Sequence, residues 1–197
     1  LLTLEHIRGD LHMHTYASDG RNTIEEMATA AKARGYKYIC ITDHSPASAI
    51  ANGLKPARLR AHIKDVRAVA DNVKGLTVWI GTEVDVHADG TLDYPDELLA
   101  ELDFVTASIH AGMGNDMAAN TRRTLAAMGN PHVHCIGHPT GRLINERDAM
   151  PLDMGAIARE AARTGTALEI NANYYRLDLK DQHARLARDL GATILIN

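Results

Sequence analysis

A chain of 197 residues, 45% hydrophobic and 23% charged, has the make-up of one soluble globular domain with a good core. No apolar run approaches the ~20 residues that a membrane span needs, so no membrane partner is expected. The formal net charge of -4 gives no global attraction to nucleic acid, and any such contact would have to be local.

Short β-rich runs alternate with helical patterns from end to end, which predicts βα units around a parallel sheet. The first strand is expected from Ile7 to His14. Residues two apart on a strand share a face, so Asp10, His12 and His14 take the polar side and Leu11 and Met13 the apolar one. Asn22-Thr23 offers a cap for a helix that starts at Ile24 and stops at Gly35. Tyr38 to Thr42 reads as the second strand and delivers Asp43-His44. After a loop over 45–54, Pro56 opens a helix that runs through Val73.

The third strand, Thr77 to Thr82, delivers Glu83, and a short helix follows from Asp96 to Glu101. The fourth, Phe104 to Ile109, ends at His110. A helix from Met117 to Met128 is closed by Gly129-Asn130-Pro131. The fifth strand, His132 to Ile136, leads to Gly137-His138. Asp153 caps a helix through Arg163, Thr166 to Ile170 is the sixth strand, Gln182 to Leu190 the last helix, and Thr193 to Ile196 the seventh strand. With no Gly-rich nucleotide turn after the first strand, a barrel is favoured over an open doubly wound sheet. No linker or composition shift divides the chain, so a single domain over 1–197 is expected. Its start at Leu1 instead of Met, and its stop at Asn197 just past an apolar run, read as a piece of a longer polypeptide.

Ligand-type residues stand at the ends of successive strands: His12 and His14, His44, Glu83, His110 and His138. In a parallel barrel all those ends open on one face, where active sites are built. One such histidine would more often be structural; the joint pattern makes them candidate metal ligands. Asp19, in the first loop, adds a second carboxylate. Mixed imidazole and carboxylate donors suit Zn, Mn or Fe, and their number exceeds what one ion can use, so two or three divalent metals are expected. Such ions lower the pKa of bound water from 15.7 toward ~7 and neutralise phosphoryl charge, which points to hydrolysis.

Asp10-Leu11-His12-Met13-His14-Thr15, Ser18-Asp19-Gly20, Ile41-Thr42-Asp43-His44, Gly81-Thr82-Glu83, Ser108-Ile109-His110 and Gly137-His138-Pro139 resemble, in order, the motifs of the PHP (polymerase and histidinol phosphatase) domain. Ile7-Arg8-Gly9-Asp10-Leu11-His12, Asp93-Tyr94-Pro95-Asp96, Gly137 to Leu143, Ala167 to Asn171 and Arg176-Leu177-Asp178-Leu179 are more specifically similar to the PHP domain of bacterial family X DNA polymerases. The resemblance implies a distorted (β/α)7 TIM-like barrel with a polynuclear Mn or Zn centre held by His12, His14, Asp19, His44, Glu83, His110 and His138. It further implies phosphoester hydrolysis at nucleic-acid 3′ ends, as 3′-5′ exonuclease, 3′-phosphatase or abasic-site cleavage, beside covalently linked polymerase domains; the two cysteines, expected as reduced thiols, fit a reducing cytoplasm. Catalysis should depend most on Glu83, His110 and Arg142. The family closes its site with a Thr-Asp-Ala-His type motif after the seventh strand, and Asn197 falls before it, so two ligands are expected to be missing. A small-molecule phosphatase of the histidinol phosphatase type and a non-catalytic polymerase module are the competing readings.

Other residues carry weaker expectations. Arg142 reads either as a bidentate phosphate clamp, for which it is the first candidate, or as a solvated loop arginine; Arg176 and Asn171 could hold the leaving group or substrate backbone, with capping of the loop after the sixth strand the preferred reading of Asn171. Lys55, Arg58 and Arg60 read either as nucleic-acid contacts or as a solvated helix face. Asp10 and Asp43 are expected to orient ligand imidazoles. Cys40 and Cys135 should be reduced, buried thiols, Trp79 core, and His6, His62, His87, His132, His134 and His183 structural or surface residues.

Overall fold

The first strand, β1, covers only Gly9–Met13 of the expected stretch, and its ladder to β2 (Tyr38–Ile41) is irregular between Asp10 and Met13. The cause is local. The His12 amide donates to the Asp10 carboxylate (3.0 Å), and the Met13 amide donates to Thr42 Oγ1 (2.9 Å). A break of this kind re-aims side chains at a strand end, here the two histidines.

The computed structural model describes residues 2–114 and 116–197; Leu1, where the expected domain begins, lies outside them. They form two compact units, 2–83 with Tyr94–Val105, and Val84–Asp93 with 106–114 and 116–197. Among the described residues seven strands are neighbours in chain order, and no helix is long and apolar enough to cross a membrane.

In the first unit, helix α1 (Ile24–Ala33) begins where Thr23 Oγ1 accepts from the Glu26 amide while the Glu26 carboxylate accepts from the Thr23 amide. This reciprocal cap satisfies two amides that a helix start leaves open. Helix α2 (Pro56–Asn72) opens on the expected proline. Both helices cover the sheet: Ile24, Ala28 and Ala31 of α1 and Val66 of α2 bury themselves against Ile39 and Ile41 of β2 and Val78 and Ile80 of β3 (Thr77–Asp85). Trp79 departs from the expected core role, because it faces away from that cluster and is only half-buried, stacked on Tyr38 at 5.6 Å. Gly81 is required where it stands. A Cβ there would meet the Phe104 carbonyl oxygen at 2.3 Å and Cys40 Sγ at 2.7 Å, so the bare backbone lets β3 run close by and carry Glu83 inward. A four-residue helix, α3 (Asp96–Leu99), completes the unit.

The second unit carries most of β4 (Phe104–Ser108), then α4 (Met117–Met128), β5 (Cys135–Ile136), α5 (Met154–Thr164), β6 (Ala167–Ile170), α6 (Asp181–Asp189) and β7 (Ile194–Ile196). Its strands pair in parallel, with Thr106 opposite Cys135 and Cys135 opposite Ala167. The starts of α4 and α5 are side-chain capped, the second at the expected Asp153. Asp116 accepts from the Ala119 amide (2.7 Å) and Asp153 from the Ala156 amide (2.9 Å). β5 is shorter than expected because Asn130-Pro131 shapes a turn that consumes its start: Asn130 Oδ1 accepts from the His132 amide and its carbonyl from Val133. Cys40 and Cys135 are both fully buried free thiols, and burial pushes each thiol pKa well up.

Candidate metal centre

In the first unit, the end of β1, the loop after it, the end of β2 and the interior of β3 deliver His12, His14, Asp19, His44 and Glu83 to one place. Glu83 is 1% exposed and divides its carboxylate among three imidazoles. Oε1 lies 3.3 Å from His12 Nε2, and Oε2 lies 3.6 Å from His14 Nε2 and 3.0 Å from His44 Nδ1. Asp19 faces the same rings from the solvent side, 3.4 Å from His14 Nδ1 and 3.6 Å from His44 Nε2. His12 and His14 have ring centroids 5.4 Å apart, and His14 and His44 4.3 Å.

This donor set fits a divalent metal. His12, His14 and Glu83 form one group of converging ligand atoms and His14, Asp19 and His44 a second, each within 4.8 Å of one another. His14 belongs to both. Burial, with the like charges of His12 and His44, pushes the His14 pKa down to about 4 against the pull of Glu83 and Asp19. Its imidazole is therefore neutral at physiological pH, the form that ligates a metal.

Asp43 has a different task from the expected one. Its carboxylate accepts from the Thr15 amide and hydroxyl (2.8 Å each) and from the Ser18 amide (3.2 Å) and hydroxyl (2.5 Å), and it lies 2.9 Å from His62 Nε2. Asp43 thus orients the turn between His14 and Asp19, together with His62, instead of a ligand imidazole. Burial pushes this carboxyl up, but contacts from His62, Ser18 and Thr15 outweigh it and leave the pKa below the usual value. The same turn is held from the other side by Arg58, which donates to the carbonyl oxygens of Ala17 (2.6 Å) and Asn52 (3.1 Å). Arg58 is spent on backbone, and Arg60 pairs with Glu101 at 3.2 Å. Asp10 holds the His12 backbone through the amide bond already described.

The second unit presents His110 and His138 with ring centroids 5.2 Å apart. Asp85 Oδ1 lies 2.9 Å from His110 Nδ1, which would fix the ring and leave Nε2 as the ligand atom. Sequence reasoning missed Asp85 because the third strand was expected to end at Thr82. The signal was the alternation Glu83-Val84-Asp85-Val86, which places both acids on one strand face. His138 has φ 26°, an unusual value for a side-chain-bearing residue. The backbone around it is over-determined: its amide donates to the buried Glu169, and its carbonyl accepts from Gly141 (2.8 Å). Asp178 accepts from the Thr140 amide (3.0 Å) and hydroxyl (2.9 Å). Burial pushes the Asp178 carboxyl up, against the opposing effects of Thr140 and His138. Glu169 and Asp178 were also missed as supports, since each looks like an ordinary strand or loop acid until its buried partners are known.

Arg142 does not present the expected bidentate fork. Its Nε donates to the Arg176 carbonyl (2.8 Å) and its Nη2 to the Leu177 carbonyl, so the guanidinium braces backbone. Asn171 Oδ1 accepts from the Asn173 amide (3.2 Å), a turn-forming role.

A family model described as PHP domain matches residues 10–173. The chain is 44% identical, over its whole length, to the Bacillus subtilis "DNA polymerase/3'-5' exonuclease PolX", of which it spans 35%. It is 36% identical over 166 residues to a "Probable phosphatase" of Syntrophotalea carbinolica, covering 82% of this chain and 64% of the relative. Among solved structures, histidinol phosphate phosphatase from Lactococcus lactis, complexed with Zn, L-histidinol and phosphate, superposes with a TM-score of 0.62 at 17% identity, covering 96% of this chain and 84% of that one. That likeness shows the fold: α/β with parallel strands, the class of the expected (β/α)7 barrel.

Proposed function

Because the chain belongs to the PHP domain family, we propose that it is a metal-dependent phosphoesterase whose substrates are nucleic-acid 3′ ends, acting beside polymerase domains in a longer cytoplasmic protein. The observation that carries the reading is Glu83, a buried carboxylate shared among three imidazoles with Asp19 facing them. Two or three divalent ions, Zn or Mn, would be held, with His12, His14, Asp19, His44 and Glu83 as ligands in the first unit and His110 and His138 as ligands in the second. Such ions activate water and offset charge on a phosphoryl oxygen. The chain's own residues position them: Asp10 and Asp43 hold the backbone that carries His12, His14 and Asp19, and Asp85 holds the His110 ring. The likeness to the Bacillus subtilis polymerase and exonuclease over the full length of the chain supports the nucleic-acid substrate. The likeness to a probable phosphatase supports a second reading, a small-molecule phosphomonoesterase.

The two readings separate in one experiment. With Mn or Zn supplied, end-labelled single-stranded DNA should lose nucleotides from its 3′ end faster than 4-nitrophenyl phosphate is turned over, and a chelator should stop both. Faster turnover of the small ester would favour the second reading, and hydrolysis untouched by the chelator would overturn both. Asp85→Asn supplies a finer test. It should lower metal affinity about 10- to 100-fold, measured by competition with a chromogenic chelator, while unfolding shows the chain still folded.

A further inference from the structure

The loop after β6 carries a feature that the metal chemistry leaves unused. Asn173 folds it back on itself, with Oδ1 accepting from the Tyr175 amide (3.0 Å) and its carbonyl from the amides of Arg176 (2.8 Å) and Leu177 (2.9 Å). The Ile144 amide ties it to a neighbouring loop by donating to the Tyr175 carbonyl (2.7 Å). The folded loop holds two adjacent aromatic rings out in solvent. Tyr174 is 71% and Tyr175 51% exposed, and their ring centroids are 4.1 Å apart at 35°. Exposed aromatic surface held by this many backbone bonds is built, and its use must lie outside the core.

Charge says what it suits. Arg176 lines a cavity of about 330 Å³ with Leu143, Glu146, Asn173 and Tyr175, and its Nη1 is buried there without a hydrogen-bond partner among the described residues. Arg147 is close enough that, in addition to burial, the Arg176 charge holds its pKa down. Arg142 sits on the carbonyls of Arg176 and Leu177. Three guanidiniums thus gather at this loop, while Glu146 is the one carboxylate lining the cavity. Aromatic rings can also anchor a protein partner, but a cationic excess with an unsatisfied buried donor calls for an anion with several acceptor oxygens.

We propose that the 173–177 loop docks a single-stranded nucleic-acid segment, one base stacked on the Tyr174 and Tyr175 pair and the adjoining phosphate bound at Arg176. Stacking tolerates every base because each has a π-face, and the arginines follow the backbone. The inference rests on the phosphoesterase reading only for why such a strand should come here; binding needs no turnover.

The test is fluorescence anisotropy of the metal-loaded chain with a fluorescein-labelled, phosphorothioate-linked oligothymidylate that resists hydrolysis. Tyr174→Ala/Tyr175→Ala should weaken binding about tenfold or more, while Tyr174→Phe/Tyr175→Phe should keep it. Arg176→Gln should reduce the slope of log affinity against log salt by about 0.7, the share of one phosphate contact on a single strand. Unchanged affinity in the alanine pair overturns the proposal, as does an equal loss for heparin, a polyanion without bases. A change in oligomeric state with oligonucleotide affinity intact assigns the tyrosines to a protein contact instead, which also overturns it. If the wild-type chain hydrolyses neither DNA nor 4-nitrophenyl phosphate yet shows tyrosine-dependent binding, the phosphoesterase reading falls and this one stands.

Discussion

Replacing Glu83 by alanine should strip metal from the proposed centre of the first unit and lower the proposed phosphoester hydrolysis by about three orders of magnitude, since several kcal/mol of charge stabilisation is lost at ~1.4 kcal/mol per decade. The geometry explains why no neighbour can take over. Glu83 reaches His12, His14 and His44 together, whereas Asp19 reaches only His14 and His44 and its side chain is 48% exposed. The three imidazoles would remain with Asp19 on the solvent side, without the buried carboxylate they share. Elemental analysis of the purified variant, hydrolysis of labelled DNA and circular dichroism check the three parts of this expectation. Full metal content with normal turnover would sink the assignment. Asp19→Ala is the graded companion, expected to lose part of the metal and less of the activity.

The second large effect falls on stability. Asp43→Ala should destabilise the fold by about 3–5 kcal/mol, the usual cost of removing one partner from a buried charged contact. It would leave the Thr15 and Ser18 donors and the His62 imidazole without their shared acceptor. Asp43→Asn keeps an acceptor oxygen and should cost less. Urea unfolding measures both. The pH dependence follows from the lowered carboxyl. Because the folded-state pKa lies below the ordinary 3.8, the Asp43 contribution is complete above that value and is lost as pH falls through the folded-state pKa. The acid limb of the stability profile should therefore be shallower in Asp43→Asn. Equal stability of Asp43→Ala and wild type at neutral pH would show that the turn is held by other means.

The contrast between Glu83 and Asp43 shows what the sequence made legible. Both are buried acids near the ligand imidazoles, and the order of strands, the helix caps at Thr23 and Asp153, and the gathering of His12, His14, His44 and Glu83 follow from the sequence pattern. Long-range partners do not. His62 sits on α2, and nothing in its helical surroundings marks it as the neighbour of Asp43. Arg58 looks like a solvent-facing cation until the Ala17 carbonyl is found beneath it. Asp85 was hidden by a strand that runs three residues further than its β-branched run suggests, because its last residues are held by burial and not by propensity. Arg142 was assigned by residue type, and only the folded backbone of 176–177 shows where its donors go.

The two thiols carry a practical consequence. Cys40 lies in the first unit and Cys135 in the second, and each is fully enclosed, so a thiol reagent reaches either one only when its surroundings open. Their separate labelling rates would time the opening of each half of the molecule, and comparing those rates with and without added metal would tell which half the ions lock.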